Sequence, residues 1–151
     1  MLIRLWANRY KFLGSGKSYT IVGSEHNPGV IPLLVKELFS QIEKNKSNPK
    51  LNSSYKVEIT MIEIYNENIR NLLAINEEKR KEIHEIKEGL EGIYVSGVDK
   101  IVVNSYQEIR QIYEKGNQNR TIAATKMNQT SSRAHTIFTI RLTTTEYVLL
   151  I

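Results

Sequence analysis

Apolar residues recur along this chain at two spacings, one typical of helices and one typical of strands. From Val30 onward they fall three and four positions apart and form one stripe: Ile31, Leu34, Val35, Leu38, Phe39 and Ile42. This stripe predicts an amphipathic helix. Pro32 suits its first turn, because the N–H that proline lacks would be unpaired there. The polar run from Glu43 to Ser54 then predicts a solvated loop.

Alternating apolar residues predict two longer strands, one within 55–65 and one within 135–148. In the first, apolar side chains fall on both faces, which favours a strand buried between two layers. The first strand carries Val57, Ile59 and Met61 on one face and Ile62 and Ile64 on the other; the second carries Phe138, Ile140 and Leu142 on one face. Short apolar runs at 2–6, 93–95 and 101–103 predict further strand pieces.

A second helix is predicted after residue 105. Ser105 and Glu108 have the spacing of a capping box, in which each can bond to the backbone of the other. Gly116 predicts the end of this helix, as a left-handed cap. The predicted apolar side of the helix carries Tyr106, Ile109, Ile112 and Tyr113.

Composition narrows the classes of protein. The chain has 151 residues, of which 40% are hydrophobic and 25% charged, enough for one domain with a core. It has no cysteine, which excludes disulfide scaffolds and thiolate metal sites. No stretch is long and apolar enough to span a bilayer, so we expect no direct membrane insertion. The net charge of +5 favours polyanionic partners, namely nucleic acid, an anionic membrane or an acidic protein surface, but it also fits an ordinary basic protein.

Residues 14–18 carry candidate chemistry for phosphate binding. Gly16, Lys17 and Ser18 form the end of the signature G-x-x-x-x-G-K-[ST], although Lys11 stands where the first glycine belongs. Glycines let backbone N–H groups approach phosphate oxygens. A lysine supplies positive charge at the β- and γ-phosphates, and a serine hydroxyl ligates Mg²⁺. The alternative is a glycine turn before a helix.

The segment from Asn128 to His135 offers a second set of phosphate ligands. Its adjacent hydroxyls, Ser131 and Ser132, can serve a γ-phosphate oxygen and a Mg²⁺-bound water. Arg133 can anchor the segment through a bidentate ion pair with a carboxylate. Such a loop can be ordered by the γ-phosphate and released after hydrolysis. Taken alone, the segment would be an ordinary polar turn.

In this order and spacing, the two segments resemble the phosphate loop and the switch I loop of the kinesin motor domain. Residues 14–20 are similar to the first and residues 128–135 to the second. Segments 28–32, 63–67 and 92–95 match in order between them, and the resemblance covers about 10–145. The stretch 119–128 looks most like the vesicle-transporting kinesins. We therefore expect residues 1–151 to be a partial kinesin motor domain.

The resemblance implies an α/β phosphate-loop NTPase fold, with a central sheet flanked by helices in three layers, here incomplete. It implies ATP and Mg²⁺ as cofactors, and ATP hydrolysis coupled to microtubule binding and movement. The resemblance implies tubulin as the partner and implies no binding to nucleic acid. It does not indicate which cargo the protein would carry. The implied location is the cytoplasm, on the microtubule cytoskeleton.

The resemblance also implies a role for each site residue. The phosphates would be held by Gly14, Ser15, Gly16 and Lys17. Ser18 would bind Mg²⁺, Ser132 would reach it through water, and Tyr19 would lie beside the adenine. The γ-phosphate sensor would comprise Asn128, Ser131 and Ser132, and Arg133 would pair with the glutamate of switch II.

Some features depart from the family pattern. The sequence holds no Asp-x-x-Gly-x-Glu switch II motif, and residues 1–10 do not resemble the usual strand before the phosphate loop. An alternative is therefore a truncated or mis-assembled gene product without ATPase activity, which would bind nucleotide or tubulin weakly at most. Lys81, Lys87 and Lys100 are candidates for a microtubule-facing region, with an ordinary solvated surface as the alternative.

Overall fold

A computed structural model describes residues 2–7, 17–24, 26–48, 52–80, 82, 84–90, 92–126 and 134–147; at 2–7, 17, 18 and 122–126 it describes the backbone only. The described helices are α1 (Lys17–Ile21), α2 (Val30–Lys46), α3 (Glu77–Arg80) and α4 (Tyr106–Lys126). The described strands are β1 (Leu2–Ala7), β2 (Ser53–Tyr65), β3 (Asn68–Asn71), β4 (Ile86–Gly89), β5 (Gly92–Val95), β6 (Ile101–Val103) and β7 (Ala134–Glu146).

Five of these strands form one antiparallel sheet. Its two long strands, β2 and β7, pair along their full length, from Ser53 opposite Glu146 to Tyr65 opposite Ala134. β1 pairs with the other side of β7, while β3 and β6 share the other side of β2. β4 and β5 form a separate hairpin. The strands predicted from the alternating pattern are therefore confirmed.

The turn between β2 and β3 is tight because both of its central residues adopt a left-handed conformation. Asn66 has a φ of 47° and Glu67 a φ of 63°. Positive φ at both central positions is the geometry of a type I′ turn, whose twist matches that of the flanking strands. The turn reverses the chain, so that Tyr65 pairs with Asn68.

The core lies between one face of the sheet and the two long helices. The apolar stripe of α2 and the first half of α4 pack on the residues of β2 and β7 that share this face. The most deeply buried members include Val35, Ile59, Met61, Val103 and Ile140. On the opposite face Ile62 is also buried, so β2 carries buried apolar residues on both sides. The two described long helices, however, lie on a single face.

α4 does not end at Gly116, as the sequence predicted, but continues to Lys126. The correction has a packing reason. Gly116 is buried against β2, and a Cβ added there would overlap Met61 Sδ and lie 3.3 Å from Leu73 Cδ2. Close contact between the helix and the sheet therefore requires glycine at this position. An argument from helix propensity alone interprets the same glycine as the end of the helix.

The predicted loop from Glu43 to Ser54 is also too long. α2 continues through Lys46, and β2 already begins at Ser53. Lys44 and Lys46 lie in the last turn, where positive charge interacts favourably with the helix dipole. Lys46 also lies 3.1 Å from the Glu43 carboxylate.

The capping box at the start of α4 is confirmed, with a shift of one residue in its return bond. The Glu108 backbone N–H donates to Ser105 Oγ at 3.2 Å. The Glu108 carboxylate accepts from the backbone N–H of Asn104 at 2.8 Å, one residue before the cap. Within the described ranges, no helix is long and apolar enough to cross a membrane.

Candidate functional site

The predicted phosphate loop lies between β1 and α1. Gly14, Ser15 and Gly16 are outside the described residues. Lys17 and Ser18 form the start of α1, and Tyr19 follows them with 58% of its surface exposed. The structure thus places a helix directly after the predicted loop, as this class of loop requires.

The predicted switch segment lies between α4 and β7. Asn128, Ser131, Ser132 and Arg133 are outside the described residues. The helix before them ends at Lys126 and the strand after them begins at Ala134. In the part of the chain that the structure describes, no group of three or more His, Cys, Asp or Glu side chains could hold a metal ion.

The flanks of these two segments meet at one end of the sheet. Ala7, the last residue of β1, pairs with Thr136 of β7. With neighbouring strands about 4.8 Å apart and a rise of about 3.4 Å per residue, the Cα atoms of Ala7 and Ala134 are separated by about 8 Å. Segments far apart in sequence therefore leave and enter the sheet side by side.

Glu63 is a buried carboxyl at this same end of the sheet, and the sequence analysis did not single it out as a functional residue. It pairs in register with Thr136 on β7 and with Arg70 on β3, and only 5% of its surface is exposed. Burial raises its pKa above the ordinary value, whereas the positive charges of Arg70 and Arg120 act in the opposite direction.

Arg70 lies between Glu63 and an aromatic ring. Its Nη1 is 3.9 Å from Glu63 Oε2, and its guanidinium carbon is 5.6 Å from the ring centroid of Tyr65. A guanidinium at this distance is attracted by the face of the ring. Arg120 belongs to α4, so the buried carboxylate connects the sheet electrostatically with the helix that precedes the switch segment.

The sequence did contain a signal for Glu63. It continues the alternation of Val57, Ile59 and Met61, and therefore falls on the face of β2 that the helices cover. A carboxyl at an inward position of a buried strand needs partners of opposite charge or hydrogen-bond donors. The alternation identified the position, but only the fold showed that Arg70 and Arg120 are near it.

Two buried asparagines form hydrogen bonds around the segment that follows β3. Asn119 Nδ2 on the helix donates to the carbonyl oxygen of Leu72 at 2.7 Å. Asn71 Oδ1 accepts from the backbone N–H of Leu73 at 3.0 Å, and its Nδ2 donates to Asp99 Oδ2 at 3.0 Å. The Asn119 bond joins the second half of α4, which leads toward residues 127–133, to this segment, and the Asn71 bonds hold the segment itself.

The β4–β5 hairpin covers part of the sheet face opposite the helices. A groove of about 290 Å³ lies between hairpin and sheet; its lining is mainly apolar and includes the charged residues Glu58, Lys100 and Arg141. Ile86, Leu90 and Ile93 on the hairpin are strongly exposed. Of the three candidate lysines, Lys87 pairs with Glu85 at 3.4 Å, Lys100 is exposed, and Lys81 lies outside the described residues.

Comparison with known proteins identifies the class to which this fold belongs. The family model for the kinesin motor domain matches residues 10–148. The human kinesin-like protein KIF13B is 42% identical over 138 residues, and kinesin-related protein 1 of Dictyostelium discoideum is 40% identical over 131. The chain therefore belongs to the kinesin motor domain family.

Solved structures agree with this assignment. The fold matches KIF14[391-755], solved with ADP in complex with a microtubule, at a TM-score of 0.78 and 41% identity. It matches the structure of a fast kinesin at a TM-score of 0.77 and 38% identity. These matches cover 93% and 89% of this chain but only 39% and 37% of the two solved chains. The matches to KIF13B and to kinesin-related protein 1 cover 91% and 87% of this chain but only 7% and 6% of the full length of those two proteins.

Proposed function

We propose that this chain is part of a kinesin-type microtubule motor, which binds ATP with Mg²⁺ and couples its hydrolysis to microtubule binding and movement. Membership of the motor domain family carries the proposal, since the match includes both candidate loops. The common end of β1 and β7 supports it, because one nucleotide must contact both loops at once. The proposed location is the cytoplasm, on microtubules.

The proposed roles follow the chemistry of each side chain. Backbone N–H groups of Gly14, Ser15 and Gly16 bind phosphate oxygens, and the Lys17 ammonium lies beside the β- and γ-phosphates. Tyr19 packs beside the adenine, which its exposure on α1 permits.

The switch segment is proposed to act on the γ-phosphate. Asn128, Ser131 and Ser132 bind its oxygens and orient the attacking water, while Arg133 holds the segment through an ion pair. The hydroxyls of Ser18 and Ser132 fit Mg²⁺, a cation that prefers oxygen ligands and retains bound water. When bound, Mg²⁺ neutralises charge that develops on the phosphates.

Nucleotide binding by the 151-residue chain is the direct test. We expect a fluorescent ATP analogue to bind in the presence of Mg²⁺ and to bind more weakly after EDTA is added. Lys17→Ala should weaken binding at least tenfold, because a charge-assisted contact to phosphate is lost. Lys36→Ala on the exposed side of α2 removes the same charge elsewhere and should leave the affinity unchanged.

Microtubule co-sedimentation tests the second half of the proposal. Lys87→Ala with Lys100→Ala should reduce the bound fraction, because both residues lie on or beside the exposed hairpin. Lys36→Ala with Lys115→Ala removes equal charge from the helix side and serves as the matched control. Equal losses in the two variants would mean that the hairpin has no special role. Absence of both nucleotide and microtubule binding would instead support the truncated, inactive alternative.

A further inference from the structure

α4 runs along β2 in the direction of the strand. Val103 of β6 pairs with Val57 in the first half of β2, and α4 begins shortly after Val103. The helix then passes over Met61, since a Cβ added to Gly116 would overlap Met61 Sδ. From Val57 to Met61 the contact moves toward Tyr65, the last residue of β2. The second half of α4 therefore continues over the end of β2.

This direction places Arg120 over Glu63. Arg120 lies four residues after Gly116, about 6 Å further along the helix. Glu63 lies two residues after Met61, about 7 Å further along the strand and on the same face. Asn119 donates to a backbone carbonyl of the segment that follows β3, at 2.7 Å, and so holds this turn of the helix against the sheet. Burial raises the pKa of Glu63 and the positive charge of Arg120 opposes that rise, which agrees with this placement.

The Glu63 carboxylate lies between two guanidinium groups, one on the sheet and one on the helix. Arg70, its cross-strand neighbour on β3, has Nη1 3.9 Å from Glu63 Oε2. The guanidinium carbon of Arg70 is also 5.6 Å from the centroid of the Tyr65 ring, which restricts its position. On the other side, Glu63 pairs in register with Thr136 near the start of β7. The carboxylate therefore links Arg120 to the end of the sheet at which β7 begins.

This arrangement affects the position of α4 more than the stability of the chain. Burial raises the pKa of Glu63, so the fold disfavours the charged carboxylate. A buried ion pair often stabilises no more than apolar residues of similar volume, whereas removal of one partner leaves the other charge buried without compensation. Without the carboxylate, Arg70 and Arg120 would face each other with like charge, which favours movement of the helix away from the sheet.

We propose that Glu63 is a positioning residue, which holds the second half of α4 over the sheet at the end where β7 begins. α4 ends at Lys126 and β7 begins at Ala134, so the carboxylate fixes the relative position of both ends of the segment with the candidate switch residues. For nucleotide binding, this role rests on the proposed function: a segment fixed at both ends loses less conformational freedom when it contacts the γ-phosphate.

Backbone hydrogen exchange tests this role in the full chain without nucleotide. Glu63→Gln keeps the size of the side chain but removes its charge. We expect exchange in a peptide covering 117–126 to become faster by about fivefold or more, while exchange in a peptide of α2 covering 33–46 stays unchanged. Unchanged exchange at 117–126, or equal acceleration in both peptides, would overturn the proposal.

Glu58→Gln is the matched control. Glu58 lies on the same strand but on the opposite face, and it pairs with Lys56 at 2.8 Å, so the variant removes a paired carboxylate that does not face α4. It should leave exchange at 117–126 unchanged. Arg120→Gln should reproduce the effect of Glu63→Gln, and the double variant should exchange more slowly than the two separate effects predict together. Fully independent effects would contradict a link between the two side chains.

Nucleotide affinity provides a readout that general loss of stability does not change. In Glu63→Gln, a fluorescent non-hydrolysable ATP analogue should bind about fivefold more weakly or worse, whereas the corresponding ADP analogue should change by less than about twofold. Only the triphosphate offers the γ-phosphate to the switch segment. Equal weakening of both nucleotides would overturn the positioning of that segment by Glu63. If the parent chain binds neither nucleotide, the proposed function fails, and the exchange measurement alone decides whether Glu63 positions α4.

Discussion

Replacing Gly116 with alanine tests how α4 packs on the sheet. In an exposed helix interior this change stabilises, because alanine exceeds glycine in helix propensity by about 0.8–1.0 kcal/mol. Here the new methyl would overlap Met61 Sδ and lie 3.3 Å from Met61 Cε. Met61 has no exposed surface, so it has little room to move away.

The expected magnitude follows from these two opposing effects. Overpacking of a filled core costs about 1–3 kcal/mol, which exceeds the gain in propensity over most of that range. We expect Gly116→Ala to lower the free energy of unfolding by about 1 kcal/mol. In a domain of this size, that corresponds to a fall of about 2–4 °C in the thermal midpoint.

A double-mutant cycle with Met61→Ala identifies the cause. Met61→Ala alone should destabilise by about 2–5 kcal/mol, because it leaves a cavity at a fully buried site. In that background the alanine at 116 has space, so Gly116→Ala should become neutral or stabilising.

Urea unfolding followed by circular dichroism measures all four chains of the cycle. Lys115→Ala, on the exposed side of the same helix, is the control and should change stability by less than about 0.5 kcal/mol. The packing argument is refuted if Gly116→Ala stabilises the parent chain, or if its effect is the same with and without Met61.

Two further predictions concern buried polar side chains, Asn119 on α4 and Glu63 on β2. Asn119→Ala should destabilise by about 1–3 kcal/mol in urea unfolding, because it leaves the buried Leu72 carbonyl without its side-chain donor, whereas exposed Gln118→Ala should not. Burial raises the folded-state pKa of Glu63, so its carboxyl stabilises most in acid and loses that contribution as the pH rises through this pKa. The stability of the parent relative to Glu63→Gln should therefore fall as the pH rises above the ordinary pKa of a glutamate, and a constant or rising difference in unfolding free energy would contradict this.

Local pattern was sufficient for most elements of the fold. The stripe from Ile31 to Ile42 became the buried side of α2, and the alternation from Val57 to Met61 became the core face of β2. The period of the first pattern matches an α-helix and that of the second matches a β-strand, and in each case the residues of the pattern lie on the side that faces the core. The capping box at Ser105 was predictable for the same reason, since its bonds join residues close in sequence.

Prediction was weakest where distant residues determine the structure. Propensity alone predicts a helix end at Gly116, but contact with Met61, which is remote in sequence, makes Gly116 a packing site within the helix. Glu63 fell on the buried face by its spacing, yet its surroundings include Arg120 on α4. Pairing of Ala7 with Thr136, which places the flanks of the two candidate loops about 8 Å apart, likewise depends on the sheet.

The sequence by itself determined the family and the chemistry of the candidate site. The residues from Gly14 to Ser18 and from Asn128 to His135 retain their identity and order whatever surrounds them, and the family match includes both. The tertiary structure decided which strands are neighbours, where the buried carboxyl lies, and that β1 pairs with β7. The reason is physical: side-chain chemistry and backbone period are local properties, whereas proximity and burial arise only when segments remote in sequence pack together.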